Sequence, residues 1–118
     1  MARRKNKPGR RGAGPGQYDK ASWDEWIEDS GIVVRLLNED HDDVPHQRFV
    51  VRLSSGQTLL IAHNLDIADR VPVGVGDRVR FRGVYEWNPQ GGVLHWTHHD
   101  PQGGEDNGFV RLRGRDYA

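Results

Sequence analysis

The sequence predicts an all-β domain, a small barrel of five short strands with a short helix and a basic tail ahead of it. Three observations lead there. From Ile32 onward apolar residues recur at every second position, the period of a half-buried strand. Ser54-Ser-Gly-Gln57 and Asn88-Pro-Gln-Gly91 are turn-forming clusters that separate such runs at hairpin spacing. The chain has 118 residues, 35% of them hydrophobic, which is enough for one modest core and no second domain.

Residues 1–20 form a Gly/Pro/Arg/Lys-rich stretch without apolar periodicity, expected to be a disordered basic tail. It carries seven basic residues against Asp19, a net charge of +6, and residues 21–118 balance it with −6. Such an arm can neutralise phosphates without reading sequence. No apolar segment follows its basic residues, so it does not read as a secretory signal. No apolar run approaches the ~20 residues that cross a bilayer. The expectation is a cytoplasmic protein without membrane association. Cysteine is absent, which excludes disulfides, zinc-thiolate sites and cysteine nucleophiles.

Taken in order, Ser22-Trp-Asp-Glu25 has the form of a capping box and predicts a short N-terminal helix over about Trp23–Asp29. On it Trp23 and Trp26 would share one face. A first strand starts at Ile32, with Ile32, Val34 and Leu36 on one side and Val33, Arg35 and Leu37 on the other. Asn38–Pro45 is an acidic loop whose carboxylates suit a hard divalent cation but lack calcium-loop spacing. A second strand covers His46–Leu53 and a third Thr58–His63. Asn64–Val71 reads as one short helical turn stopped by Pro72. The fourth strand runs from Arg78 to Trp87, with Gly83 marking a bulge or bend. A type I turn at Asn88–Gly91 predicts that Trp87 faces Val93, Tyr85 faces His95 and Val84 faces Trp96. The fifth strand then extends from Val93 to about His99, and Phe109–Leu112 adds a short last strand before loose final residues. Five strands, a helical turn between the third and fourth and a tight hairpin between the fourth and fifth match the OB-fold, a partly open Greek-key barrel. An SH3-like barrel and a β-sandwich are the competitors.

Two kinds of chemistry are available. Strand-borne aromatics beside arginines suit single-stranded nucleic acid, with rings stacking on bases at about 1–3 kcal/mol each and cations tracking phosphates. Arg48, Arg52, Arg80, Arg82, Tyr85, Trp87 and Trp96 are the candidates, with the tail assisting. The alternative is a hydrolase of the nuclease or phosphodiesterase kind. It would use Glu86, His95, His98 and Asp100 as proton carriers, with arginines clamping phosphate. A divalent metal would take His63, His95 and His99, because alternation puts His95 and His99 on one face and His98 on the other. No cofactor beyond such a metal is implied. No phosphate loop, dinucleotide fingerprint or nucleophile motif is present. A protein-interaction domain is the third reading.

The words His46-Gln-Arg-Phe49, Ser55-Gly-Gln-Thr-Leu-Leu60, His63-Asn-Leu-Asp66 and Glu86-Trp-Asn-Pro-Gln-Gly-Gly-Val-Leu-His-Trp-Thr-His-His-Asp-Pro101 together resemble an uncharacterised bacterial family, a domain of unknown function. The resemblance covers about Gly31 to Tyr117. It implies bacterial origin and a small OB-like barrel, and it carries no activity. Members of that family often begin with an apolar leader where this chain has a basic tail. Their usual Gly-Trp near the end is Gly108-Phe109 here.

Overall fold

The computed structural model of the chain describes residues 16–41 and 43–118. The expected tail falls outside them as far as residue 15. Residues 16–20 are already packed, four residues short of the boundary read from composition. Tyr18 lies against the core, and its hydroxyl donates to Asp29 Oδ2 at 2.7 Å. Gln57 holds the same segment: its Oε1 accepts from Tyr18 N–H at 2.8 Å and its Nε2 donates to Tyr18 O and Gly91 O.

Seven strands follow in chain order: β1 (Trp26–Asp40), β2 (His46–Leu53), β3 (Thr58–Asn64), β4 (Arg78–Glu86), β5 (Val93–His95), β6 (Phe109–Leu112) and β7 (Arg115–Tyr117). β1, β2, β3, β5 and β4 are joined in that order, and β4 pairs back onto β1, so five strands form a closed, barrel-like ring. All the pairings are antiparallel except β3 with β5. The fold is thus all-β, as the alternation predicts.

The long first strand makes closure feasible. Its first half pairs with β4 (Trp26 to Ile32) and its second half with β2 (Gly31 to Asp40). Gly31 and Ile32 pair on both edges. A β-bulge at Val34 separates Val33, opposite Val51, from Arg35, opposite Val50. The bulge rotates the side-chain rows, so the predicted split between Ile32/Val34/Leu36 and Val33/Arg35/Leu37 does not persist along the strand. Val33 is fully buried while Leu36 is half exposed.

Inside the ring Val33, Phe49, Val51, Ile61, Phe81, Tyr85, Leu94 and Val110 have no solvent exposure. Trimming such a packed ring to alanine, as in Phe49→Ala, costs about 3–5 kcal/mol. β4 alternates strictly, with Val79, Phe81, Gly83 and Tyr85 inward and Arg78, Arg80, Arg82, Val84 and Glu86 outward. Gly83 is not a bulge, because its register with Ile27 is regular. It sits where the far edge of β4 passes from β6 to β5. A Cβ there would meet His95 O at 2.5 Å and the Thr97 side chain at 3.0 Å.

Three local expectations are corrected. The helix at Trp23–Asp29 does not form; a 3-10 turn over Lys20–Ser22 stands in front of it, with Asp19 and Ser22 making the capping box. Residues from Trp26 onward have β4 as a partner, and the ladder outweighs the weak local helix signal. The single turn expected after β3 is present, with Ala68 N–H bonded to Asn64 O at 3.0 Å. The β4–β5 hairpin is one residue out of the predicted register: Glu86 faces Val93, Tyr85 faces Leu94 and Val84 faces His95. Asn88 Oδ1 accepts from the N–H groups of both Gln90 and Gly92, and Gly91 and Gly92 both take left-handed φ, so the connection is longer than a four-residue turn. Finally, Arg115–Tyr117 is not loose but forms β7 against β6.

Candidate functional site

The outer surface of β1, β4 and β6 is a grid whose rows follow from register. One row is Trp26, Val84 and His95; the next Glu28, Arg82 and Phe109; the next Ser30, Arg80 and Arg111; and beyond it Ile32 and Arg78. Arg78, Arg80, Arg82 and Arg111 project here because alternate residues of these strands face away from the core. Three carboxylates share the surface. Glu28 pairs with Arg80 at 3.0 Å, Asp116 accepts from Arg111 Nε at 2.5 Å, and Glu86 lies at the end of β4 beside His95. Four arginines against three acids leave the face net positive.

The aromatic rings on this face carry cations. The Arg82 guanidinium lies 4.6 Å from the Trp26 ring centroid, and Arg111 lies 4.5 Å from Phe109. Trp96 meets Trp26 edge-on at 6.3 Å and stacks tilted against His98 at 5.1 Å. Its backbone is left-handed (φ 61), and its indole N–H donates to Asp106 O at 2.6 Å. A second aromatic pair stands nearby in sequence: Trp23 packs on Trp87 at 6.0 Å, with Lys20 Nζ 4.7 Å from the Trp87 ring. Trp23 and Trp26, expected on one helix face, therefore belong to different pairs.

Of the arginines and aromatics expected to bind nucleic acid, Arg80, Arg82 and Trp96 come together here. Arg52 borders the grid, because it pairs with Ile32 on the edge opposite Arg78. Trp87 sits just past the end of β4. Arg48 does not join them: it pairs with Leu37, and its Nε donates to Asn38 O. Tyr85 is a core residue with no exposure. Its hydroxyl donates to Gly91 O at 2.9 Å, and burial raises its phenol above the usual value. Tyr85 is inside because β4 runs past Gly83 without a bulge and keeps the inward parity of Val79 and Phe81. Arg78, Phe109 and Arg111 lie in runs whose alternation is visible in the sequence, whereas Trp26 lies in the stretch 23–29 that reads as helix.

The histidine run is dispersed. His95 Nε2 lies 3.6 Å from Glu86 Oε1, the one pair of predicted proton carriers that the fold brings together. His98 is buried, with Nδ1 2.7 Å from His99 O. Asp100 accepts from Gln102 N–H through Oδ1. His99 Nδ1 is bonded to Ala118 O. Strand five ends at His95 because Trp96 is left-handed, so the alternation that paired His95 with His99 does not apply.

His63 is fully buried in β3. Its Nε2 lies 3.0 Å from Asp69 O, which only accepts, so Nε2 carries the hydrogen. Nδ1 then accepts from the Thr97 hydroxyl at 2.7 Å. Burial lowers its pKa from 6.5 to about 4, and a backbone bond to Asp69 opposes that. Both nitrogens are engaged, so His63, His95 and His99 do not converge on a metal. Among the described residues no group of three or more His, Cys, Asp or Glu is placed to hold one. In the acidic loop, Glu39 is bonded to Arg70 and His41.

Two grooves flank the grid. One, of about 520 Å³, lies over Val34, Leu37, Val50 and Leu60, with Asn88 and Gln90 of the β4–β5 loop at its rim. The other, of about 140 Å³, is lined by Ser30, Ile32, Arg52, Ser54 and Arg78. A family model described as "Protein of unknown function (DUF3465)" matches residues 16–118. No curated protein and no solved structure matches the chain.

Proposed function

We propose, for a chain that belongs to the DUF3465 family of proteins of unknown function, that it is a small OB-fold binding module for single-stranded nucleic acid. The ring order β1-β2-β3-β5-β4 with its parallel β3–β5 pair supports the OB reading. The observation that carries the ligand class is the stacking of arginine on ring twice over on one net-positive face, Arg82 on Trp26 and Arg111 on Phe109. A base can stack where the guanidinium lies, and the displaced cation then meets the flanking phosphate. Bases differ little as stacking partners, so the face suits binding without sequence preference. The grid and the basic residues 3–11 act on the same polyanion, and a cytoplasmic location fits that ligand.

The test is anisotropy of a labelled dT12 strand against the full chain between 50 and 200 mM salt. Affinity falls with log salt at about −0.7 per phosphate neutralised. The variant Arg80→Gln/Arg82→Gln/Arg111→Gln has a slope shallower by about 2. Undetectable binding, or binding indifferent to salt, refutes the reading.

A second reading, a phosphodiesterase, rests on the Glu86–His95 pair at 3.6 Å, a carboxylate that can orient an imidazole for proton transfer. It requires turnover of an activated phosphodiester that His95→Ala abolishes.

A further inference from the structure

We propose that the cleft where β1 changes partner is a phosphate subsite, held by Arg52 and Arg78 across Ile32. This rests on the nucleic-acid reading for its biological ligand, but its chemistry is that of any phosphate ester. Ile32 pairs with Arg52 of β2 on one edge and with Arg78 of β4 on the other. With strands about 4.8 Å apart, the two arginine backbones stand about 10 Å apart. Both side chains are exposed on the outer face. That separation leaves room for a tetrahedral anion between two guanidinium groups.

The cleft of about 140 Å³ is lined also by Ser30 and Ser54, so hydroxyl donors complete the ring of positive groups. Gly31 keeps the strands close; a Cβ there would stand 2.8 Å from Arg52 O.

Four other arginines are ion-paired. Arg80 is bonded to Glu28, Arg111 to Asp116, Arg70 to Glu39 and Arg113 to Asp77. Among the described residues Arg52 and Arg78 have no ion pair, and the Ser30 and Ser54 hydroxyls have no hydrogen bond. Asp77, the acid beside Arg78, is held by Arg113 and by Gly74 N–H. Asp29, beside Ser30, accepts from the Ser30 N–H and the Tyr18 hydroxyl. Among the described residues, two cations without ion pairs and two hydroxyls without hydrogen bonds line one small cleft, a donor set that suits an anion. Guanidinium binds phosphate oxygens with paired, charge-assisted hydrogen bonds.

The entry of the chain supports the same place. Gly16 lies against Ser54 and Ser55, and Ser55 Oγ donates to Gly16 O at 2.6 Å. Six basic residues lie between Arg3 and Arg11. Arg11 is five residues from that anchor, within about 18 Å at full extension. A strand whose phosphate sits in the cleft would therefore run from the grid toward the basic segment.

Three probes test this on the full chain: inorganic phosphate, dT12 and 5′-phosphorylated dT12, each against wild type and Arg52→Gln/Arg78→Gln. These side chains have no ion pair among the described residues, so the variant keeps its melting temperature. Phosphate is expected to shift the amide resonances of Ser30, Gly31 and Ser54 in wild type alone, and the dT12 salt slope falls by about 0.7, one phosphate, in the variant. A fivefold preference for 5′-phosphorylated dT12, lost in the variant, assigns the subsite to a terminal phosphate; equal affinity for the two strands assigns it to a backbone phosphate. If dT12 does not bind but the phosphate shifts occur and vanish in the variant, the nucleic-acid reading fails and the subsite stands. If phosphate shifts no amide in the cleft and the variant keeps the wild-type slope, the subsite is refuted while binding through the grid survives. Ser54→Glu, which places a fixed carboxylate in the cleft, weakens phosphate binding at least tenfold if the proposal holds and leaves it unchanged if it does not.

Discussion

Thr97 donates its hydroxyl hydrogen to Nδ1 of His63 at 2.7 Å, and neither residue has any solvent exposure. The bond joins the middle of the histidine run to the end of β3, across the parallel seam between β3 and β5. It also favours the neutral form of His63, since protonation would make Nδ1 a donor and the Thr97 hydroxyl would have to turn its own hydrogen away.

That preference sets a pH dependence. The folded-state pKa of His63 is depressed from 6.5 to about 4 by burial. The unfolded chain therefore binds more protons between those values, and stability falls as pH drops from about 6.5 toward 4. The shift corresponds to roughly 3 kcal/mol when fully expressed. Urea denaturation at pH 7, 5.5 and 4 should show this loss. In His63→Gln, less stable at pH 7, the difference from wild type should shrink as pH falls.

The β4–β5 connection is sterically closed at Gly91, where a Cβ would meet Thr58 O at 2.0 Å, and at Gly92. Gly92 has φ 102, and a Cβ there would lie 2.4 Å from the Tyr85 ring. Gly56 has a similar φ of 95 with open space around it. Gly56→Ala therefore reports backbone strain alone, about 1–2 kcal/mol. Gly92→Ala adds a clash with a core ring and lowers the stability by at least 1 kcal/mol more. Thermal unfolding of the two variants side by side measures the difference.

Asn88 determines the hairpin's register through its side chain. Its Oδ1 accepts from the Gln90 and Gly92 N–H groups, both at 2.9 Å. Asn88→Ala removes both bonds and costs about 1–2 kcal/mol. Amide exchange should accelerate first at Gln90 and Gly92, the two donors, and less in β5, which is paired on both edges.

Tyr85 and Trp26 separate core from surface roles. Tyr85→Phe loses the bond to Gly91 O, costs about 1 kcal/mol in stability and leaves dT12 affinity unchanged. Trp26→Ala removes a stacking ring and lowers dT12 affinity by about 5- to 100-fold. Anisotropy and denaturation of both variants check the two assignments together.

Much of the fold is legible because alternation has a direct physical cause. Residues 46–53, 58–63 and 78–86 alternate in sequence as they alternate in burial, and the ring they form buries one set of side chains. What sequence could not supply depended on partners. Residues 26–31, Trp-Ile-Glu-Asp-Ser-Gly, carry no such alternation, a local capping signal points to helix, and only pairing with β4 makes them strand. Site residues divide along the same line. Arg80, Arg82 and Trp96 were recognisable as exposed cations and an aromatic. Tyr85 shares the parity of Val79 and Phe81, and it is core only because β4 passes Gly83 without the expected bulge.

The sequence by itself determined which segments are strands, where the Asn-Pro-Gln-Gly-Gly turn falls, and that no cysteine chemistry exists. Those are properties of neighbouring residues. Tertiary structure decided that β1 extends back to Trp26 and serves two partners, that Trp96 turns left-handed and scatters the histidines, and that Arg52 and Arg78 flank Ile32. These juxtapositions come from ring closure, which pairs Ile32 with Arg52, 20 positions on, and Trp26 with Val84, 58 positions on, through backbone hydrogen bonds that no local pattern encodes.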